Sequence, residues 1–388
     1  AKAALTPEEG EVASLYYDIN EVGEMHHNPA KNVLYIRAGV EEIARRAGVS
    51  EERVRELLAS AKRKMYAARI TRPTPYVDKT IYAGWNAMCV SAYLTAARVL
   101  EMPDALHFAL RSLDRVLAEG WTEKVSPESA DRSVRPTLKH VIAYSDPKAE
   151  RRETAGVLDD YAFTAIACLD AYEATSDLSY FRFARSIADT MIVRFFDSVA
   201  GGFFDTAGTA VGQSREEPNA LGILGTRRKP FQDSPTPAGN PAAAIALLRS
   251  HAYTNDSSYR EKAEQTLAVF AGGAEKYGMF AATYAVAVTH FTQPHTQVVI
   301  AGQDEVADQL YRAALRPLSL NKAVVRLTPG AIVPQNLPPA LAETIPNLTA
   351  LREGRSFAVI CSGFTCQPPM FDPVEVRRQL EASSRPAA

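Results

Sequence analysis

Residues 156–184 read "GVLDDYAFTAIACLDAYEATSDLSYFRFA", and this stretch decides the fold. Two adjacent carboxylates, Asp159 and Asp160, precede a run that is apolar on nearly every side, rich in Ala and Thr. A helix without a polar face is surrounded by other helices. Asp177 then stands where a cap would, and Ala184, Ile187, Met191 and Phe195 form one stripe with charges opposite. The stretch therefore predicts an inner, buried helix followed by an outer, amphipathic one.

The same pair recurs along the chain. "GWNAMCVSAYLTAARVL", "PAAAIALLRSHAY" and "MFAATYAVAVTH" are further all-apolar helices. The stripes Leu106, Leu110, Leu113, Leu117 and Tyr259, Ala263, Leu267, Phe270 mark further outer ones. Asp104, Asp177 and Asp256 each stand at the connector, so the unit repeats about every 73 to 79 residues. Buried helices alternating with amphipathic ones describe an (α/α) toroid of two concentric rings. β-branched runs between helices, as a parallel sheet requires, are absent before residue 295. After it, "TQVVIAG", "KAVVRL" and "SFAVICSG" read as buried strands around the helix "DEVADQLYRAAL", a small α/β region. The Pro-rich "TPGAIVPQNLPPALAETIP" reads as loop. The expected division is a helical lead-in over 1–70, a toroid portion over 71–294 and the α/β region over 295–388.

Composition narrows the function classes. A net charge of -2 offers no basic field for nucleic acid. No apolar run reaches membrane-spanning length. Cys89, Cys168, Cys361 and Cys366 are too few and scattered for a disulfide framework, which points to a cytoplasmic setting. "CSGFTC" lacks the second Cys/His pair of a zinc ribbon, so its cysteines read as small buried hydrophobes, and neither a metal nor a cofactor is expected. "IARRAGVSEERVRELLASAKRKM" mimics a helix-turn-helix, and 41–72 carries nine Lys/Arg against five Asp/Glu. Yet Val54, Leu57, Leu58, Ala61 and Met65 make a core stripe, and Ser50 with Glu51 and Glu52 makes a helix start. DNA binding through 41–66 is thus a remote alternative.

Five segments, "RPTPYVDKTIYAGWNAMCVSAYLTAARVL", "GVLDDYAFTAIACLDAYEAT", "GGFFDT", "SPTPAGNPAAAIALLR" and "CSGFTCQPPMFDP", carry a resemblance in their order. Over roughly residues 15 to 375 the chain resembles the C-terminal region of the spermatogenesis-associated protein 20-like family. The resemblance implies a six-hairpin glycosidase-like toroid, related to sugar epimerases, behind a thioredoxin-like domain. The sequence opens "AKAALTPEEG", without Met, and shows three hairpins plus one inner helix where a closed ring needs six pairs. It is therefore expected to be a fragment, or to pair with a chain supplying the missing hairpins.

In a toroid, loops before inner helices line the central pocket. Asp159 and Asp160 are candidates for acid/base work on a sugar there, against the plainer reading of a helix cap. Asp78 is a third catalytic candidate. Lys79, Trp85, Asn86 and Tyr161 are substrate-binding candidates, Trp85 as a sugar-stacking indole against the alternative of a core side chain. Asp233 and Asn240 precede the third inner helix, Asn240 by default as its N-cap and Pro241 at its first position. The expected function is that of a carbohydrate-active or carbohydrate-binding toroid, glycosidase- or epimerase-like if an enzyme. The alternative is a non-catalytic scaffold that works with a thioredoxin-like domain.

Overall fold

The computed structural model describes residues 3–29, 31–122, 136–146, 154–208, 226–363 and 365–383. They fall into two units, residues 1–78 and 79–388.

The first unit holds α1 (Pro7–Tyr17), α2 (Val40–Ala47) and α3 (Glu51–Ile70). Thr6 and Glu9 form a reciprocal capping box on α1, and Ser50 Oγ accepts the Arg53 N–H at the start of α3. Gly48, left-handed at φ 68°, ends α2 and makes the turn. Val12, Ile43, Val54 and Leu57 share a small core, so the apolar stripe of α3 is spent on α1 and α2. Arg53 is paired with Glu8 and Glu56, and Arg55 with Glu51. The arginines of the helix-turn-helix lookalike thus already face acids of their own unit.

In the second unit the inner helices are α4 (Ala83–Val99), α6 (Leu158–Thr175), α8 (Gly239–Thr254) and α10 (Ala282–Thr292). They stand in a row, α4 beside α6, α6 beside α8, α8 beside α10. The outer helices α5 (Pro103–Gly120), α7 (Leu178–Phe195) and α9 (Ser257–Ala271) each pair with the inner helix before them. Ala184, Ile187, Met191 and Phe195 of the predicted α7 stripe are all buried. Asp177 and Asp256 cap α7 and α9 through Ser179 N–H and Ser258 N–H. Asp104 differs: Pro103 already occupies the first helical position, so Asp104 is a first-turn acid behind Met102. The architecture is a mainly α (α/α) toroid arc with a C-terminal sheet. α4, at one end of the row, exposes Trp85, Cys89, Ala92, Tyr93 and Val99 to solvent.

Short strands precede residue 295 after all. β1 (Ile81–Tyr82) pairs antiparallel with β4 (Val141–Ala143), and β2 (Trp121–Thr122) with β3 (Thr137–Leu138). Ladders of two or three residues leave no alternation to read. The C-terminal sheet has the order β6–β5–β7–β8, from β5 (Thr296–Ala301), β6 (Lys322–Leu327), β7 (Phe357–Ser362) and β8 (Thr365–Cys366). β5 and β6 run parallel across the helix α11 (Glu305–Leu315); β7 is antiparallel to both β5 and β8. The Pro-rich segment is not all loop, since α12 (Pro339–Thr344) lies within it, and α13 (Pro373–Ser383) follows the sheet. Val299, Val325 and Val359 face the helical core while Val298, Val324 and Ile360 face α11 and α13. Cys361 and Cys366 are bonded as a disulfide across β7 and β8, which corrects their reading as separate small hydrophobes. Direct cross-strand register brings the two together, a relation that spacing alone does not show.

Leu57→Ala is expected to destabilise the first unit by about 2 to 5 kcal/mol, because it empties a core site. Arg53→Ala and Arg55→Ala, which remove exposed pairs, should each leave the urea unfolding midpoint nearly unchanged.

Candidate active site at the inner-helix N-termini

The N-terminal ends of α4, α6 and α8 meet at the two aspartates. Gly84, the second residue of α4, donates its N–H to Asp160 Oδ1 at 2.9 Å. A Cβ on Gly84 would stand 3.1 Å from that oxygen, and one on Gly239, the first residue of α8, would stand 2.2 Å from Asp159 Oδ1. At 239 a Cβ would also crowd the Leu158 side chain, at 2.9 Å, whereas at 84 the neighbour need give only by a few tenths of an ångström.

Asp160 and Asp159 have different surroundings. Asp160 is 1% exposed, and its Oδ2 accepts the Val157 N–H at 2.9 Å and faces His140 Nδ1 at 2.8 Å. Both of its oxygens are therefore occupied by the protein. Asp159 is only partly buried, and its carboxylate makes no hydrogen bond or ion pair among the described residues. Burial, then the charges of Asp160 and Asp205, push its carboxyl up to about 6. Asp205 is held close because its carbonyl accepts the Leu158 N–H at 2.9 Å.

His140 had no signal in the sequence, since it comes from the turn between β3 and β4 rather than from a helix start. Its carbonyl accepts the Ala83 N–H at 2.9 Å, which seats it over α4. The hydrogen bond to Asp160 raises the imidazole above its usual range, against a smaller opposing effect of burial. The Tyr82 ring lies 5.2 Å from the His140 ring and 4.8 Å from Trp85. Trp85 itself is 59% exposed, so it is no core side chain; it extends an aromatic surface that runs from the His140–Asp160 pair into solvent.

The remaining candidates divide. Asn86 lies beside Trp85 and donates to the Tyr82 carbonyl at 2.8 Å. Lys79 is exposed, its backbone N–H bound to Ser145 Oγ. Asp78 is exposed and is the last residue of the first unit. Tyr161 is wholly buried against Phe195 and Trp121, and its hydroxyl accepts the Leu138 N–H, so the ligand-facing role expected for it is corrected to a core one. Asn240 is not the N-cap; Ala238 is, and Pro241 is the third helical residue. The buried Asn240 amide instead clamps Phe203 N–H and C=O and the Pro230 carbonyl. Asp233 accepts the Ala238 and Thr283 N–H groups, tying the turn before α8 to the start of α10.

The chain is 26% identical to human spermatogenesis-associated protein 20 over 96% of its length, and 28% identical to the rat protein over 94%. The chain is thus similar to spermatogenesis-associated protein 20 along nearly its whole length. It spans about half the length of the curated relatives it matches, 46% of the human protein and 43% of the rat protein. No protein-family model matches the chain. Among solved structures it is similar to a glycoside hydrolase family 76 α-mannanase of Bacteroides thetaiotaomicron, at 16% identity and TM-score 0.40, covering 57% of this chain and 55% of that one. It is similar too to an inactive variant of a Salegentibacter α-1,6-mannanase in complex with α-1,6-mannotriose, at 11% identity and TM-score 0.40, covering 73% and 78%.

The two aspartates should answer oppositely to amide substitution. Asp159 binds its proton more tightly folded than unfolded, so its contribution is greatest below pH 4 and is lost as pH rises through about 6. Asp159→Asn should therefore stabilise the chain by about 1 to 2 kcal/mol at pH 7.5, after allowance for partial exposure, and by little at pH 4. Asp160→Asn puts an NH2 against a fixed donor and should cost about 1 to 3 kcal/mol at pH 7.5. His140 adds stability below its unfolded pKa that is lost as pH rises through its raised folded value, so His140→Gln should flatten that part of the profile. Urea unfolding between pH 4 and 8 reads all three.

Proposed function

We propose that the second unit binds a carbohydrate at the mouth formed by α4, α6 and α8, and that Asp159 moves a proton on it. The observation that carries this reading is the partly buried Asp159 carboxyl, without a partner among the described residues and pushed up to about 6, beside a neighbour whose oxygens are already occupied. A carboxyl with that pKa is protonated in part near neutrality, so it can give a proton to a departing oxygen and take one back. Asp160 is then a positioning residue: it fixes His140 and the ends of α4 and α6 around Asp159. Trp85, exposed over Tyr82, offers an apolar face to a pyranose ring, and Asn86 lies next to it. Epimerase-like and glycosidase-like chemistry both use such a proton donor.

The bare apolar flank of α4 supports a second element of the reading, that a further helical hairpin covers it and completes the wall opposite Asp159. That hairpin would come from the rest of a longer protein or from a partner chain. The scaffold alternative, in which the toroid supports a thioredoxin-like domain and binds no sugar, draws on the chain's matching only about half of its relatives.

Calorimetry and Trp fluorescence with mannose, glucose, N-acetylglucosamine and α-1,6-mannotriose separate these readings. Saturable binding with a dissociation constant on the order of 1 mM or tighter is expected, weakened at least about tenfold by Trp85→Ala. Asp159→Asn should retain binding and lose any turnover of a bound sugar. Absence of binding across the panel would favour the scaffold.

A further inference from the structure

The first unit contains a second group of cations beside those of the helix-turn-helix lookalike. Arg37 is paired with Asp18, Arg46 with Glu42 and Lys64 with Glu9, as Arg53 and Arg55 are with their own acids. Lys31, Lys62, Arg69 and Arg72 form no ion pair among the described residues. All four line one groove of about 940 Å³, and among the described residues no Asp or Glu lines it. Asp18 stands between two lining residues, Tyr17 and Ile19, but Tyr35 and Arg37 take up its carboxylate. The groove is therefore lined by one sign of charge.

The helical repeat orders what the groove presents. Lys62, Met65, Tyr66 and Arg69 recur at i, i+3, i+4 and i+7 along α3, so they share one face of that helix. The two cations stand at the ends of this face, and the thioether and the phenol ring lie between them. At 1.5 Å per residue, Lys62 and Arg69 are about 10 Å apart along the axis. Across the groove, Ile19 and Leu34 continue the apolar strip. Tyr66 is 68% exposed and Leu34 52% exposed, so the strip is open to solvent.

This order of charges selects an occupant. Complementarity calls for negative charge, but a single small anion meets one end of the face and leaves the other unanswered. A nucleic-acid backbone carries a charge at every step, which the apolar middle of the face would strip of water. A flat anionic bilayer does not enter a concave groove. A helix with carboxylates at i and i+7 and apolar side chains at i+3 and i+4 matches it point for point, because its spacing repeats that of α3. We propose that this groove docks an acidic amphipathic helix of a partner protein, its carboxylates on Lys62 and Arg69 and its apolar face on Met65, Tyr66 and Leu34. The inference does not depend on the function proposed for the second unit.

Fluorescence anisotropy of the full chain tests it, with a helical Ala/Gln peptide carrying Glu at i and i+7, Leu at i+3 and i+4, and an uncharged dye. The expected result is saturable binding with a dissociation constant on the order of 100 μM or tighter. About 0.5 M salt should weaken it at least about fivefold. Lys62→Glu with Arg69→Glu should weaken it at least about tenfold, whereas Arg63→Glu, an exposed change outside the lining, should leave it within about twofold. No saturable binding to the wild-type chain, or equal binding of the same peptide with Gln in place of both Glu, would overturn the proposal whether or not the double variant folds. So would an equal loss in Arg63→Glu. Tighter binding of oligouridylate or of phosphatidylserine vesicles, lost in the double variant, would give the groove to nucleic acid or lipid and overturn it too.

Discussion

Asp160 is the residue on which the arrangement of the second unit turns. Its carboxylate meets an N–H from α4, an N–H from the start of its own helix and the His140 ring. A buried carboxylate must be answered by donors, so the three elements that supply them cannot drift apart. The helix ends come close to the aspartates: a Cβ at 239 would crowd Asp159 and Leu158, and one at 84 would stand tightly, at 3.1 Å, against Asp160. Asp159, one residue earlier, is directed away from these donors and makes no hydrogen bond or ion pair among the described residues. The pair thus consists of one carboxylate that holds the frame and one left without a partner among those residues.

The opposite ends of the same helices are held by a second buried charge cluster. Glu173 of α6 receives Arg249 at 2.7 Å and Tyr253 at 3.1 Å from α8, and Arg98 at 3.3 Å from α4. Arg98 also donates to the Val324 carbonyl of β6 at 2.6 Å. Breaking such a cluster by removing one member leaves a buried charge uncompensated. Anchored at both ends, the three inner helices hold a fixed spacing, and the sheet is tied to them through Arg98. That rigidity is what lets a carboxyl keep an unanswered position at the mouth.

Much of this was legible in the sequence because burial leaves a period. The all-apolar run from Tyr161 and the stripe from Ala184 to Phe195 could only be an inner and an outer helix, and the strand TQVVIA is apolar on both faces because both are covered. Asp170 and Glu173 in α6 and Arg249 in α8, set among mostly apolar residues, are also visible signals of buried pairing. What periodicity cannot carry is contact across distance. Asn240 looked like a cap but clamps Phe203, 37 residues away; His140 reaches Asp160 from a two-residue turn. The Cys361–Cys366 bond follows from strand register, and the burial of Tyr161 from its packing on Trp121 and Phe195. Two equal-looking aspartates likewise differ only in which donors surround them.

The division of labour between these aspartates is the centre of the account, and the ionisation of Asp159 measures it most directly. A carbon-13 titration of the aspartate side-chain carboxyls, assigned by comparison with Asp159→Asn, should give Asp159 a midpoint of about 6, set by burial and its acidic neighbours. A midpoint at the ordinary 3.8 would mean that Asp159 is solvated or paired, and the proposed proton donor would be lost.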